Sequence, residues 1–183
     1  CQIPIDFEKY RLEKFIDFYT KFLKKIKSGK KFYLKPQINY LGRYNPRLNT
    51  ETDGLINWDM DSYDLYNFIN AFDEPYKGAS TFLNNGNFGK LYLKKVHLHG
   101  GESPNHPYMS GLVSRHDKNW IVVSTKSKHM ILIEEVLDKK GNNIISKIKA
   151  GDRFYTPYGE LEKSKKIKTI FNSKELKETS WST

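Results

Sequence analysis

The sequence predicts an α+β fold: an N-terminal helix and a linker, then a small OB-like antiparallel β-barrel with its own leading helix. Three observations predict it. Apolar residues recur at helical spacing over residues 7–28 and again over 61–72. Pro36, Gly42, Pro46 and Asp53-Gly54 interrupt the stretch between them. Beyond Ala79, five or six short runs rich in β-branched residues follow within about 80 residues, the spacing of a small barrel or sandwich.

The chain opens on Cys1-Gln2-Ile3-Pro4-Ile5, a short apolar run interrupted by proline, which reads as the end of a strand. A helix is expected from about Phe7 to Ser28. Phe15, Phe18, Tyr19, Phe22, Leu23 and Ile26 form one wide apolar stripe along it. Lys21, Lys24, Lys25 and Lys27 crowd its C-terminal end, where cations complement the helix dipole, and Gly29 is the natural stop. The stripe needs a partner surface, and the neighbouring sequence offers little to cover it.

Residues 31–60 read as a linker. A second helix starts at Asp61 or Ser62, either of which can cap it, and carries Leu65, Phe68, Ile69 and Phe72 on one face. Pro75 ends it, because proline disfavours helical geometry at the residue before it. The run Asp73-Glu74-Pro75-Tyr76-Lys77-Gly78-Ala79 then turns the chain from helix to strand. Pro75 fixes the turn, and Tyr76 is a bulky anchor that can plug the barrel mouth. Gly78 permits a positive φ or a close approach, and Ala79 lets helix and strand meet.

Further strands are expected at Leu91–Val96, Gly111–Val113, Trp120–Thr125, His129–Leu137 and Gly151–Tyr155. Asn85–Gly89 and Asp138–Asn142 are turns between them. From Glu162 onward the Lys/Glu-rich tail reads as a solvated terminal helix or a frayed end.

The formal charge is +10, distributed as +5 over residues 1–60, zero over 61–120 and +5 over 121–183. Basic ends suit a polyanion such as RNA or a nucleotide, although a solvated lysine surface reads the same way. Lys94, Lys95, Arg115, Lys126 and Lys128 sit on or beside the predicted strands. Alternation can bring several of them to one outer face, which makes them the candidate contacts to RNA phosphates or to an acceptor. With one cysteine, Cys1, no internal disulfide can form, and a reducing compartment, the cytoplasm, is expected. No apolar run approaches the length of a bilayer span, so no membrane partner is expected. His97, His99 and His106 lack a carboxylate or thiol to complete a metal site, and no metal is expected. Ser114, Arg115, His116 and Asp117 carry no nucleophile motif, and no glycine-rich phosphate loop is present.

The order of these features resembles the linker-to-barrel junction of the formyltransferases that use 10-formyltetrahydrofolate, the methionyl-tRNA formyltransferases and their amino-sugar relatives. Asn57-Trp58 before a helix resembles that family's Asp- or Asn-Trp pair. Pro75-Tyr76 followed by Gly78-Ala79 resembles its Pro-aromatic-Pro-Gly-Ala entry to the C-terminal barrel. Pro36-Gln37, Tyr44–Leu48, Asp53-Gly54, Gly111, Gly141 and Gly151-Asp152-Arg153 fall in matching order. Two positions depart: Asn70 stands where the family usually has arginine, and Lys77 where it usually has proline.

The resemblance implies four segments. Residues 1–30 would be the end of the upstream catalytic domain, with its last strand and helix. Residues 31–60 would be the linker, 61–160 the C-terminal barrel with its leading helix, and 161–183 a basic tail. It implies transfer of a formyl group from 10-formyltetrahydrofolate to a primary amine, on an amino-sugar nucleotide or methionyl-tRNA. This part would assist acceptor binding or dimerisation. The family's Asn-His-Asp set and His-x-Ser-x-Leu-Pro stretch have no counterpart in the sequence. No catalytic residue is therefore expected here, and no folate on this chain alone. The expected partners are a missing N-terminal catalytic domain, a tRNA or nucleotide-sugar acceptor, and a second copy. Asn57, Trp58, Pro75, Tyr76, Gly78 and Ala79 are expected first as packing residues and second as substrate contacts. The alternative reading is a free-standing basic β-barrel that binds RNA.

Overall fold

The computed structural model describes residues 2–36, 42–43, 48–85, 88–101, 105–171 and 176–180, with side chains as far as residue 167. Cys1, Gln37, residues 44–47 of the Tyr44–Leu48 stretch, and Gly86-Asn87 of the expected hairpin turn lie outside the described residues.

Helix α1 spans Pro4–Lys27. The expectation of a strand end at Ile3-Pro4-Ile5 is corrected: Ile3 is the N-cap and Pro4 begins the helix. Proline at the first helical position loses no hydrogen bond, and its fixed φ suits the helix. The Ile5 amide donates to the Glu74 carbonyl at 2.9 Å, tying the helix start to the 73–78 turn. No α1 residue is buried. Its aromatic rings stack on one another, Phe15 on Tyr19 at 5.7 Å and Phe18 on Phe22 at 6.1 Å.

The stretch read as the end of the linker belongs to the barrel. Asn49 caps the single turn α2, Thr50–Asp53, through its side chain. Leu55 then bridges to Ser80, and the Ile56 amide donates to the Ser80 carbonyl at 2.9 Å. Leu55, Ile56 and Trp58 are buried. These residues show no period because each enters the core from irregular backbone.

Helix α3, Ser62–Ala71, is capped by Asp61, whose carboxylate accepts the amides of Tyr63 at 2.7 Å and Asp64 at 3.1 Å. Leu65 and Ile69 are fully buried from its apolar face. Such burial stabilises by roughly 1.5–3 kcal/mol per side chain. The helix lies against β1, Ala79–Leu83, and β2, Lys90–His99.

Four more strands complete the sheet: β3 Val113–His116, β4 Ile121–Val123, β5 Met130–Leu137 and β6 Phe154–Tyr155. The order is β3-β4-β5-β2-β1-β6, with every neighbouring pair antiparallel. The sheet curls until its two edges meet. Leu112 bridges to Arg153, Phe154 donates to the Gly111 carbonyl at 2.8 Å, and Val113 donates to the Asp152 carbonyl at 2.8 Å. Gly111, at φ +78°, permits this closure, since a Cβ there would meet the Phe154 carbonyl. Leu91, Leu93, Val96, Ile121, Ile131 and Ile133 fill the interior beneath α3. The architecture is the α+β, OB-like barrel that the sequence predicts.

The tail differs from expectation. A short helix α4, Tyr158–Lys165, is followed by a separate antiparallel hairpin, β7 Ile167–Phe171 and β8 Leu176–Ser180. The high Lys/Glu content masks the alternation of Ile167 and Thr169 with Lys166 and Lys168. Among the described residues no helix is long and apolar enough to cross a membrane.

Candidate functional site

The helix-to-strand junction is organised by Asp73, which is 2 % exposed. Its Oδ1 accepts the Glu74 amide at 2.7 Å and its Oδ2 the Lys95 amide at 2.8 Å. The Lys94 ammonium lies 3.6 Å from Oδ1 and 3.8 Å from the Glu74 carboxylate. The Glu74–Pro75 peptide is cis, and the Tyr76 amide closes the turn on the Asp73 carbonyl at 3.0 Å. Gly78 has φ +111°, and a Cβ there would come within 2.7 Å of the Leu93 carbonyl oxygen. Ala79 is fully buried opposite Leu93. Tyr76 is corrected from the expected plug of the barrel mouth: its side chain is about half exposed.

The basic residues singled out on the strands part company. Lys94 is corrected from an outer-face contact to a buried cation paired with Asp73. The 73–78 turn covers that face of β2, with Asp73 and Glu74 at the Lys94 ammonium and Gly78 against its stem, while the φ of +52° at Lys95 breaks the alternation of β2 just beyond it. Leu91 and Leu93 face the core before Lys95 and Val96 after it, so the phase slips by one. Lys95 is exposed but faces Glu135 at 3.6 Å. Arg115 hydrogen-bonds the imidazole of His99. Lys126 and Lys128 are exposed in the segment between β4 and β5. The histidines are dispersed: His97 faces Glu134, His106 accepts the Tyr108 amide, and His116 accepts the Ala150 amide.

A different basic groove, of about 220 Å³, opens beside the junction. Lys77, Lys139 and Lys140 line it with Tyr92, and the turn carrying Lys139 and Lys140 is fixed by Asp138, which accepts the amides of Lys140 and Asn142. Glu51 lies at the back of this face. It bonds the Lys77 ammonium at 3.0 Å and the Tyr92 hydroxyl at 3.1 Å, and Lys90 reaches its backbone carbonyl at 2.8 Å. Burial works to raise the Glu51 carboxyl, but the hydrogen bonds from Lys77 and Tyr92 outweigh it and hold the group below its ordinary range. Burial, then the Glu51 charge, pushes the Tyr92 phenol up to about 12. Lys77, Lys94, Lys139 and Lys140 line the groove, with Asp138 as the carboxylate among them. With Glu51 behind Lys77 and Asp73 on Lys94, a small positive excess remains, which favours an anion.

A second groove, of about 380 Å³, lies at the barrel closure. Trp58 is its anchor. Its indole N–H donates to the Thr81 hydroxyl at 2.9 Å, and its ring stacks on Phe154 at 5.7 Å. Asn57 lies beside it on the rim, with its side chain accepting the Asp59 amide at 3.0 Å. Arg153 stacks on the ring of Tyr108 at 4.8 Å and donates to the Tyr108 carbonyl at 2.6 Å. Tyr108, Arg153, Tyr155 and Tyr158 were invisible as a set in the sequence. The available signal was the Gly151-Asp152-Arg153 step, which places an arginine at the closing strand.

The sequence matches the family described as the formyl transferase C-terminal domain over residues 49–150. The match begins at the Asn49 cap and takes in α2, α3 and five of the six barrel strands. It covers more than half of the 183 residues, and on that ground this chain belongs to the formyl transferase C-terminal domain family.

Proposed function

We propose that this chain is the C-terminal part of an enzyme that moves a formyl group from 10-formyltetrahydrofolate to a primary amine, with the barrel assisting acceptor binding. The family membership supports formyl transfer. The basic groove of Lys77, Lys139 and Lys140 beside the junction carries the acceptor role. An amino-sugar nucleotide and a methionyl-tRNA both present phosphate, which such a groove attracts. The bond from folate N10 to the formyl carbon breaks as the acceptor nitrogen bonds to that carbon, and the proton the amine loses is balanced by one gained at N10, giving the formamide and tetrahydrofolate. The upstream catalytic domain supplies the groups for that step, and the exposed stripe of α1 docks that domain or a second copy.

The test is a titration of residues 1–183 with a nucleoside-diphosphate amino sugar and with tRNA at two salt concentrations. Binding should weaken with salt by about 0.7 to 0.9 in log–log slope per phosphate contact. Lys77→Ala, Lys139→Ala and Lys140→Ala together should flatten that slope by about two. Whichever ligand binds identifies the acceptor class. Binding of neither at low salt removes the acceptor role, and measurable folate-dependent turnover by residues 1–183 alone removes the assignment of chemistry to another domain.

A further inference from the structure

Two stacked pairs line the groove at the barrel closure. Trp58 and Phe154 lie nearly parallel, with 14° between their planes. The Arg153 guanidinium covers the Tyr108 ring, and its hydrogen bonds among the described residues both leave from Nη1, to the carbonyls of Tyr108 and Ser110. Arg153 lines the groove, so this flat cation is part of its wall. Tyr108 and Tyr158 are about three-quarters exposed, although each has a large apolar ring that burial would stabilise. The walls are held by backbone-anchored contacts: Ser110 donates to the Trp58 carbonyl, and the Arg153 amide donates to the Asn84 side chain at 2.9 Å. The recess is therefore preformed, and its volume of about 380 Å³ lies within the range of small-molecule sites.

We propose that this groove is a binding site for a nucleobase, held by stacking against Tyr108 and Arg153 with Tyr158 at the mouth. Flat aromatic and guanidinium surfaces suit a flat ring, and every base has a π-face to offer. Asn57, Asp59 and Thr156 at the rim supply donors and acceptors for a base edge. A proline-rich peptide also docks in aromatic grooves. It has no flat π-face for the guanidinium and no charge to answer a chain of net +10, whereas a nucleotide brings both. The base can come from a nucleotide sugar or from an unpaired RNA nucleotide. The inference rests on this groove and not on the lysine groove at the junction.

The experiment uses residues 1–183 and follows the tyrosine ring and Trp58 indole resonances. The probes are uridine 5′-monophosphate, adenosine 5′-monophosphate and ribose 5-phosphate, then uridine diphosphate glucose, a single-stranded RNA hexamer and a proline-rich peptide. The mononucleotides are expected to shift Tyr108 and Tyr158 by ring-current effects, and ribose 5-phosphate is not. Tyr108→Ala should weaken binding about tenfold or more, while Tyr108→Phe should hold it within about twofold. An unchanged Trp58 indole resonance in both variants shows that the barrel still closes, and Tyr158→Ala serves if Tyr108→Ala fails that check. Tighter binding of the hexamer assigns the base to RNA, and equal or tighter binding of the nucleotide sugar assigns it to a small acceptor. Equal shifts from ribose 5-phosphate, shifts from the peptide alone, or no shift at millimolar nucleotide overturn the proposal. If the bases are silent here while the triple lysine substitution still lowers acceptor affinity, the acceptor role stands without a base site.

Discussion

The carboxylate of Asp73 accepts the Lys95 backbone amide at 2.8 Å while the Lys94 ammonium sits 3.6 Å away, so one side chain reads two successive residues of β2. It also accepts the amide of Glu74, on its own side of the turn. Helix α3, the turn and β2 are therefore joined through a single buried group.

Asp73→Ala leaves a buried ammonium with Glu74 as its remaining carboxylate neighbour, and it frees two amides. Breaking a buried pair from one side costs about 3–5 kcal/mol. Urea unfolding should therefore show a lower midpoint with an unchanged slope. Adding Lys94→Met should recover part of the loss, because the unpaired charge is then gone. A loss below about 1 kcal/mol for Asp73→Ala would mean that the junction does not depend on this carboxylate.

Gly78→Ala should destabilise by roughly 1–3 kcal/mol. At φ +111° a side chain is strained, and the new methyl would meet the Leu93 carbonyl oxygen at 2.7 Å and the Lys94 side chain at 2.8 Å. Backbone cannot move aside as a side-chain tip can. Thermal unfolding of the variant at or above the wild-type midpoint would contradict this geometry.

Glu51 and Tyr92 give the basic face opposite pH limits. The Glu51 carboxyl is held low in the folded chain, so its contribution is present above the ordinary carboxylate pKa and lost as pH falls through the lowered value. Glu51→Gln should remove that share of the acid-side slope in stability. Tyr92 is raised to about 12, so its contribution is intact below the ordinary phenol range near 10 and lost as pH rises through about 12. Absorbance titration should show one late tyrosine that disappears in Tyr92→Phe. Ionisation of every tyrosine near 10 would rule out the Glu51 contact.

The stripe of α1 should drive association. Phe15, Phe18 and Ile16 are each more than half exposed, and no residue of the helix is buried. Sedimentation of residues 1–183 should show self-association that the double change Phe15→Glu and Phe18→Glu abolishes. A monomer with protected amides along residues 4–27 would show that the helix stands alone.

The barrel strands were legible because β-branched runs such as Ile121-Val122-Val123 have few alternatives to a sheet. The α3 cap and its stop before Pro75 were legible because capping is local chemistry. Three things were hidden. The positive φ at Lys95 turns that side chain out to water while the 73–78 turn covers Lys94, and no lysine advertises either. Leu55–Trp58 enters the core without a period, so it reads as loop. The aromatic groove joins Trp58 to Phe154 and Tyr108 to Arg153, contacts that depend on the closure of the sheet and have no short-range trace.

That closure also sets a time order on a growing chain. Strand β6 carries the last barrel residues, Phe154 and Tyr155, and the edge of β3 finds no partner until they have emerged. During synthesis, domains form as their sequence leaves the ribosome, at about 5–20 residues per second. The hairpin of β1 and β2 can pair early, while Trp58 must wait for its stacking neighbour nearly a hundred residues later. The nascent barrel thus passes through a stage with an open seam. Until Phe154 and Tyr155 arrive, the free edge of β3 is open to pairing with strands of other chains.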